Sequence, residues 1–78
     1  MAIFRVHMIN SEFESREESE YASLEAATSA AIRAATRVLS EAVADGADSS
    51  AVELRIEEGD RVVGHHVVSL SVSRLLPR

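Results

Sequence analysis

With 78 residues, 46% of them hydrophobic and 27% charged, the chain has surface enough for one core, and a single domain over 1–78 is expected. The apolar share excludes intrinsic disorder, and the longest unbroken apolar run falls far short of the roughly 20 residues that cross a bilayer. Thirteen acidic residues against eight scattered arginines leave a net charge of −5, the wrong sign for a phosphate-neutralising surface, so neither nucleic acid nor a membrane is expected as a partner.

The opening residues Met1 to His7 carry no basic region followed by an apolar stretch, which points to a cytoplasmic protein without a secretory signal. Phe4, Val6 and Met8 alternate with Arg5 and His7, the period-two pattern of a half-buried first strand over residues 3–9. From Asn10 to Glu20 there are five glutamates, one arginine and a single apolar residue, Phe13. That composition reads as a charged loop or, within 11–20, a short edge strand whose charges discourage unwanted pairing.

Ser23 then precedes a long stretch free of Gly and Pro. Its hydroxyl suits the unpaired N–H groups of a helix start, Glu25 suits the first turn, and Asp45-Gly46 supplies a stop, so the helix runs to about Ala44. Leu24, Ala27, Ala31, Ala35, Val38 and Ala42 form one apolar stripe. Ile32, Leu39 and Val43 widen that stripe beyond what one sheet face needs, while Ala26, Ala30 and Ala34 keep the other flank slim.

Past Gly46, Val52, Leu54 and Ile56 alternate with Glu53, Arg55 and Glu57 in a second strand, and Glu58-Gly59-Asp60 forms a hairpin turn. A third strand runs from Arg61 to about Ser73, with Val62, His66, Val68, Leu70 and Val72 on one face. Val63, His65, Val67, Ser69, Ser71 and Ser73 take the other. A three-residue turn pairs Ile56 with Val62 and Glu53 with His65, and a two-residue turn moves the other face inward; Val62-Val63 before Gly64 suggests a bulge.

The expected fold is an α+β two-layer sandwich of order β-α-β-β, one long helix on a three-stranded antiparallel sheet in the order 1-3-2 with the third strand central. The sheet face away from the helix would carry Arg5, His7, Glu53, Arg55, Val63, His65, Val67 and the serines, too apolar a set for plain solvent exposure. Arg5, His7, Val63, His65 and Val67 on that face, with Ile32, Leu39 and Val43 on the helix, are the candidate contacts between copies of the chain.

Chemistry is thinly represented. The lack of cysteine removes disulfides, thiolate metal sites, iron–sulfur clusters and thiol nucleophiles, and the lack of lysine removes Schiff bases. His65 and His66 are adjacent in a strand and point to opposite faces, His66 toward the core edge, where a hydrogen-bonded role is expected. His7, His65 and Glu53 are the candidates for a two-histidine, one-carboxylate metal set, unsupported by any spacing motif. The glutamates of 12–20 lack the Asp and Gly pattern of a calcium loop, Ser69 is too remote from His65 to argue a triad, and no phosphate-binding glycine loop exists. No catalytic residue, metal or cofactor is therefore expected, and no motif indicates a small-molecule ligand.

The opening Phe4-Arg5-Val6-His7, the run Glu17-Glu18-Ser19-Glu20-Tyr21-Ala22-Ser23-Leu24-Glu25-Ala26-Ala27 and the hairpin Gly59-Asp60-Arg61-Val62 resemble a family of short bacterial domains of unknown function. The likeness covers most of the chain, with Ser19 where that family's turn has Gly, and it implies no activity. A weaker, architectural likeness links Ser23-Leu24-Glu25-Ala26-Ala27, Ile56-Glu57-Glu58-Gly59 and the strand from His65 to Val72 to the dodecins, strand–helix–strand–strand proteins that assemble into hollow shells and bind flavins. The chain has no Trp to stack on a flavin, and Val67 stands where dodecins have a flavin-contacting Gln, so this resemblance implies a shared shape without the flavin site. The reading that results is a non-enzymatic, self-associating structural or adaptor module, with a dodecin-like flavin-type carrier as the alternative.

Overall fold

Phe4 and Met8 turn inward as their alternation requires and are buried, in a first strand β1 (Ala2–Ile9). The computed structural model describes residues 1–73 and 75. The charged stretch after β1 is a full strand, β2 (Glu14–Tyr21), antiparallel to it and paired from Ala2 with Tyr21 to Ile9 with Glu14. Asn10 makes the reversal: its side-chain Oδ1 accepts the N–H groups of Glu12 at 2.8 Å and Phe13 at 3.0 Å, satisfying backbone donors that a tight loop leaves unpaired.

Helix α1 (Leu24–Ala44) starts where Ser23 Oγ accepts the Ala26 N–H at 3.1 Å. It ends in a left-handed Gly46, φ 122°, whose N–H donates to the Val43 carbonyl at 3.1 Å while the Ala47 N–H reaches back to Ala42 at 3.2 Å. These crossed bonds satisfy the last carbonyls and fix the stop. Strands β3 (Ser49–Glu58) and β4 (Arg61–Ser71) follow as a hairpin.

The sheet has four strands in the order β2-β1-β3-β4, all neighbours antiparallel, with α1 on one face. This is the expected α+β class, and the edge strand weighed for 11–20 is present as β2, while the expected three-stranded 1-3-2 arrangement and β-α-β-β order, the order of the dodecins, are replaced by β-β-α-β-β. The reason is directional. Because β2 carries the chain back to the starting end of β1, α1 returns it to the far end, and β3 then runs antiparallel to β1 and pairs with it directly. The strand 61–71, expected in the centre, is left at the edge.

The β3–β4 turn is the two-residue form, Glu58 opposite Arg61, with Gly59 at φ 62° as its one left-handed residue. The register shifts between Ile56 and Glu57, where Glu57 pairs with Val62 and Ile56 with Gly64, so Val63 is the extra residue of the expected bulge. The two-residue turn exchanges the two valines by setting Val62 opposite Glu57, and the bulge then restores the expected faces from Gly64 onward. Val63 packs against the core and Val62 is exposed, the reverse of the faces read from the sequence.

The core joins Phe4, Met8, Val52, Leu54 and Ile56 of the sheet to Ala27, Ala31, Ala35 and Leu39 of α1. Those four helix positions are one row at a spacing of four, and three alanines let the helix backbone approach the sheet closely. Leu39, expected on a surface between copies, is fully buried here, whereas Ile32 is exposed and Val43 half-buried. Since α1 lies chiefly over β3 and β4, its slim flank leaves a cavity of about 80 Å³ beside Val6, Met8, Tyr21, Ala30 and Ala34.

Candidate functional site

The sheet face away from α1 carries its polar residues in rows that cross the strands, because directly opposed residues of an antiparallel sheet share a face. One row runs Arg16, His7, Arg55, His65; on one side lies Glu18, Arg5, Glu57, Val62, and on the other Glu14, Ile9, Glu53, Val67. A line of basic and imidazole groups thus lies between lines that hold the carboxylates.

Two glutamates of β3 organise this face. Glu57 Oε1 accepts from His7 Nε2 at 3.2 Å and from Arg5 at 3.3 Å, and Arg5 also reaches Glu18 at 3.2 Å. Glu53 pairs with His65 and, at 3.6 Å, with Arg55. Each carboxylate therefore holds one histidine and one arginine. His7 is the one buried polar residue among those described, 6% exposed, although it sits on the open face of the sheet. Arg16 and Arg55 stand directly opposite it on the two neighbouring strands, and its ring is oriented by Glu57.

The candidate set His7, His65 and Glu53 is only half assembled. Glu53 and His65 meet diagonally across the β3–β4 ladder, but His7 is taken by Glu57. Among the described residues no three His, Asp or Glu side chains gather closely enough to hold a metal ion between them. His66 is exposed, not at the hydrogen-bonded core edge expected of it. Of the interface candidates, Arg5, His65 and Val67 lie exposed on the outer face, His7 is buried within it, and Val63 has turned to the other side. Glu57, Arg16 and Glu18 were missed by sequence reasoning. Glu57 was visible as the third member of the Glu53, Arg55, Glu57 alternation, but its pairing with His7 depends on β1 lying next to β3.

The hydrogen bond with His65, followed by the charges of His65 and Arg55 and against a raising effect of burial, holds the Glu53 carboxyl below its usual range. A carboxylate depressed in the folded state contributes stability that is present above the ordinary value of 4.5 and is lost as the pH falls through the lower folded value. Glu53→Gln is accordingly expected to melt below the wild type near neutrality, with the two melting temperatures converging as the pH is lowered below the ordinary carboxylate range. A gap that widens on acidification would contradict the pairing.

Taken together, these features define a small α+β domain in which a hairpin precedes and another follows one helix, and the helix covers one side of their common sheet. The chain belongs to the domain of unknown function DUF6894, which matches residues 3–71. This agrees with the resemblance to a short family of unknown function. Comparison with curated proteins and with solved structures gives no match. Among the described residues no helix is long and apolar enough to cross a membrane.

Proposed function

We propose that this chain is a cytoplasmic, non-enzymatic interaction module that associates with itself. The observation that supports the reading is where its uncovered apolar side chains lie. Among the described residues, three of the seven exposed large apolar side chains, Val62, Val67 and Val72 at 55%, 71% and 56% exposure, follow one another along β4 and just past its end, the others being Met1, Ile3, Ile32 and Leu75. Scattered surface valines need no explanation, but a line of them on one side is the usual mark of a contact surface. The chain's size adds to this, since burial in so small a domain roughly balances its ordering entropy and association supplies further burial.

The outer face supports the non-enzymatic part. Its two histidine–glutamate pairs lie on an open sheet and are joined to arginines, an arrangement that fixes side chains in place and encloses no substrate. The dodecin-like carrier alternative gains no support from the β-β-α-β-β order.

Native mass spectrometry of the purified chain at tens of micromolar tests the reading, with a bare dimer expected. A monomer would overturn it, and a large closed shell carrying a flavin mass would overturn it in favour of the carrier.

A further inference from the structure

The two margins of the sheet differ sharply in how they are defended. An edge strand exposes a row of unpaired N–H and C=O groups, and proteins commonly guard such rows with charge. The β2 edge is guarded: Glu14, Arg16, Glu17, Glu18 and Glu20 occupy five of its eight positions. The β4 edge is not, since from Val62 to Ser71 it holds no Asp, Glu, Lys or Arg. It is also the longest strand of the sheet at eleven residues, and beyond the bulge its register is regular from Gly64 to Ser71.

We infer that β4 pairs antiparallel with β4 of a second copy, joining two sheets of four strands into one continuous sheet of eight. This rests on the self-association reading and names the surface that carries it. The occupant is argued from charge. In a two-fold pairing of identical strands, the residue on the axis meets its own copy and those on either side meet one another, so a strand rich in one sign of charge brings like charges together. Four of the eight β2 residues are glutamates, so pairing that strand with itself sets carboxylates against one another, for example Glu14 against Glu20 about an axis at Glu17, and β4 meets no such penalty.

The axis is placed by the same argument. The uncharged stretch of 62–73 is centred close to Val67, and an axis there sets Val67 against Val67 of the second copy. Around it His65 meets Ser69, His66 meets Val68 and Gly64 meets Leu70, each pair sharing a face as the antiparallel ladder demands. Both helices then lie on the same side of the eight-stranded sheet. The guarded β2 strands become its two outer margins, which closes the assembly at two copies and prevents an open fibre.

The test places charge at the axis. Val67→Lys and Val67→Glu sit on a 71% exposed position of the outer face, and circular dichroism should show both variants folded. Sedimentation equilibrium should show the wild type dimeric and each variant alone with a dimer dissociation constant raised tenfold or more, while an equimolar mixture of the two regains the dimer through opposite charges at the axis. If the wild type is dimeric and both variants remain equally so, the β4 pairing is overturned and self-association stands through another surface. If the variants dissociate and the mixture does not recover, the symmetric placement at Val67 is overturned. If the wild type is itself a monomer, the underlying reading fails and this inference with it.

Discussion

Leu39→Ala is expected to destabilise the fold by about 3 kcal/mol, the common cost of deleting a buried leucine side chain and leaving part of the space unfilled. Leu39 is fully buried and ranks among the largest wholly enclosed side chains, with Leu54, Ile56 and Val52. Because its row on α1 is otherwise alanine, it supplies most of the helix's apolar volume at that end of the core. A chain of this length has a total stability of roughly 4 to 12 kcal/mol, so the loss takes a large fraction and lowers the melting temperature by roughly 12 to 24 °C. Ile32→Ala is the matched control. Ile32 is 39% exposed, and alanine is the better helix former, so its change should stay within about 0.5 kcal/mol. Thermal melts of the two variants should separate widely. Equal losses would show that the helix presents a different face to the sheet.

Gly64→Val should cost about 2 kcal/mol, by overpacking. Gly64 faces Ile56 immediately after the bulge, and a Cβ there would stand 3.3 Å from Ile56 Cδ1 and 3.4 Å from Ile56 Cβ. The second contact is with an atom fixed to the β3 backbone, so turning a side chain cannot relieve it. Alanine needs a shift of only a few tenths of an ångström and should cost less than about 1 kcal/mol, partly offset by the stiffer unfolded chain. Valine adds two methyl groups in the same space and should lower the melting temperature by roughly 10 °C. Combining Gly64→Val with Ile56→Val should cost less than the sum of the two single changes, since one creates the room the other needs. Strict additivity would mean that the valine is accommodated elsewhere.

Much of the fold was legible because local chemistry marks it. Ser23 and Asp45-Gly46 bracket the helix at the residues the structure uses, and Val62-Val63-Gly64 announces the bulge. The alternations of β1 and β3 also place Phe4, Met8, Val52, Leu54 and Ile56 inside. What stayed open was β2, read as either a charged loop or a short edge strand within 11–20. Its composition, Glu-Ser-Arg-Glu-Glu-Ser-Glu-Tyr, has almost no β-branched or aromatic signal, because an outermost strand with little helix above it draws its order from the ladder to β1 and has few apolar positions to reveal. Leaving that strand out of the expected sheet order reversed the direction of everything after it, and so displaced β4 from margin to centre. The candidate site inherited the error: with β1 beside β4, His7 and His65 would have been neighbours, whereas β3 lies between them and gives each histidine its own glutamate. Leu39 was misplaced for a subtler reason, as a long helix does not keep one straight stripe and its buried row follows the spacing of four through 27, 31, 35 and 39.

The narrow join between the two hairpins also governs how the molecule forms and opens. β1 with β2, and β3 with β4, are pairings of chain neighbours, whereas β1 meets β3 through five residue pairs, Arg5 with Glu57 to Ile9 with Glu53, about fifty positions apart in the chain. Since the helix rests mainly on β3 and β4, the protein consists of a carboxyl-proximal half with its own helix-on-sheet core and a leading hairpin fastened along one seam. Bringing that hairpin in closes the longest loop of the structure, so it is expected to dock late in folding. In the native state the same seam is where partial opening costs least, and amide protons of residues 2–21 should exchange with solvent through openings that leave the rest of the protein protected.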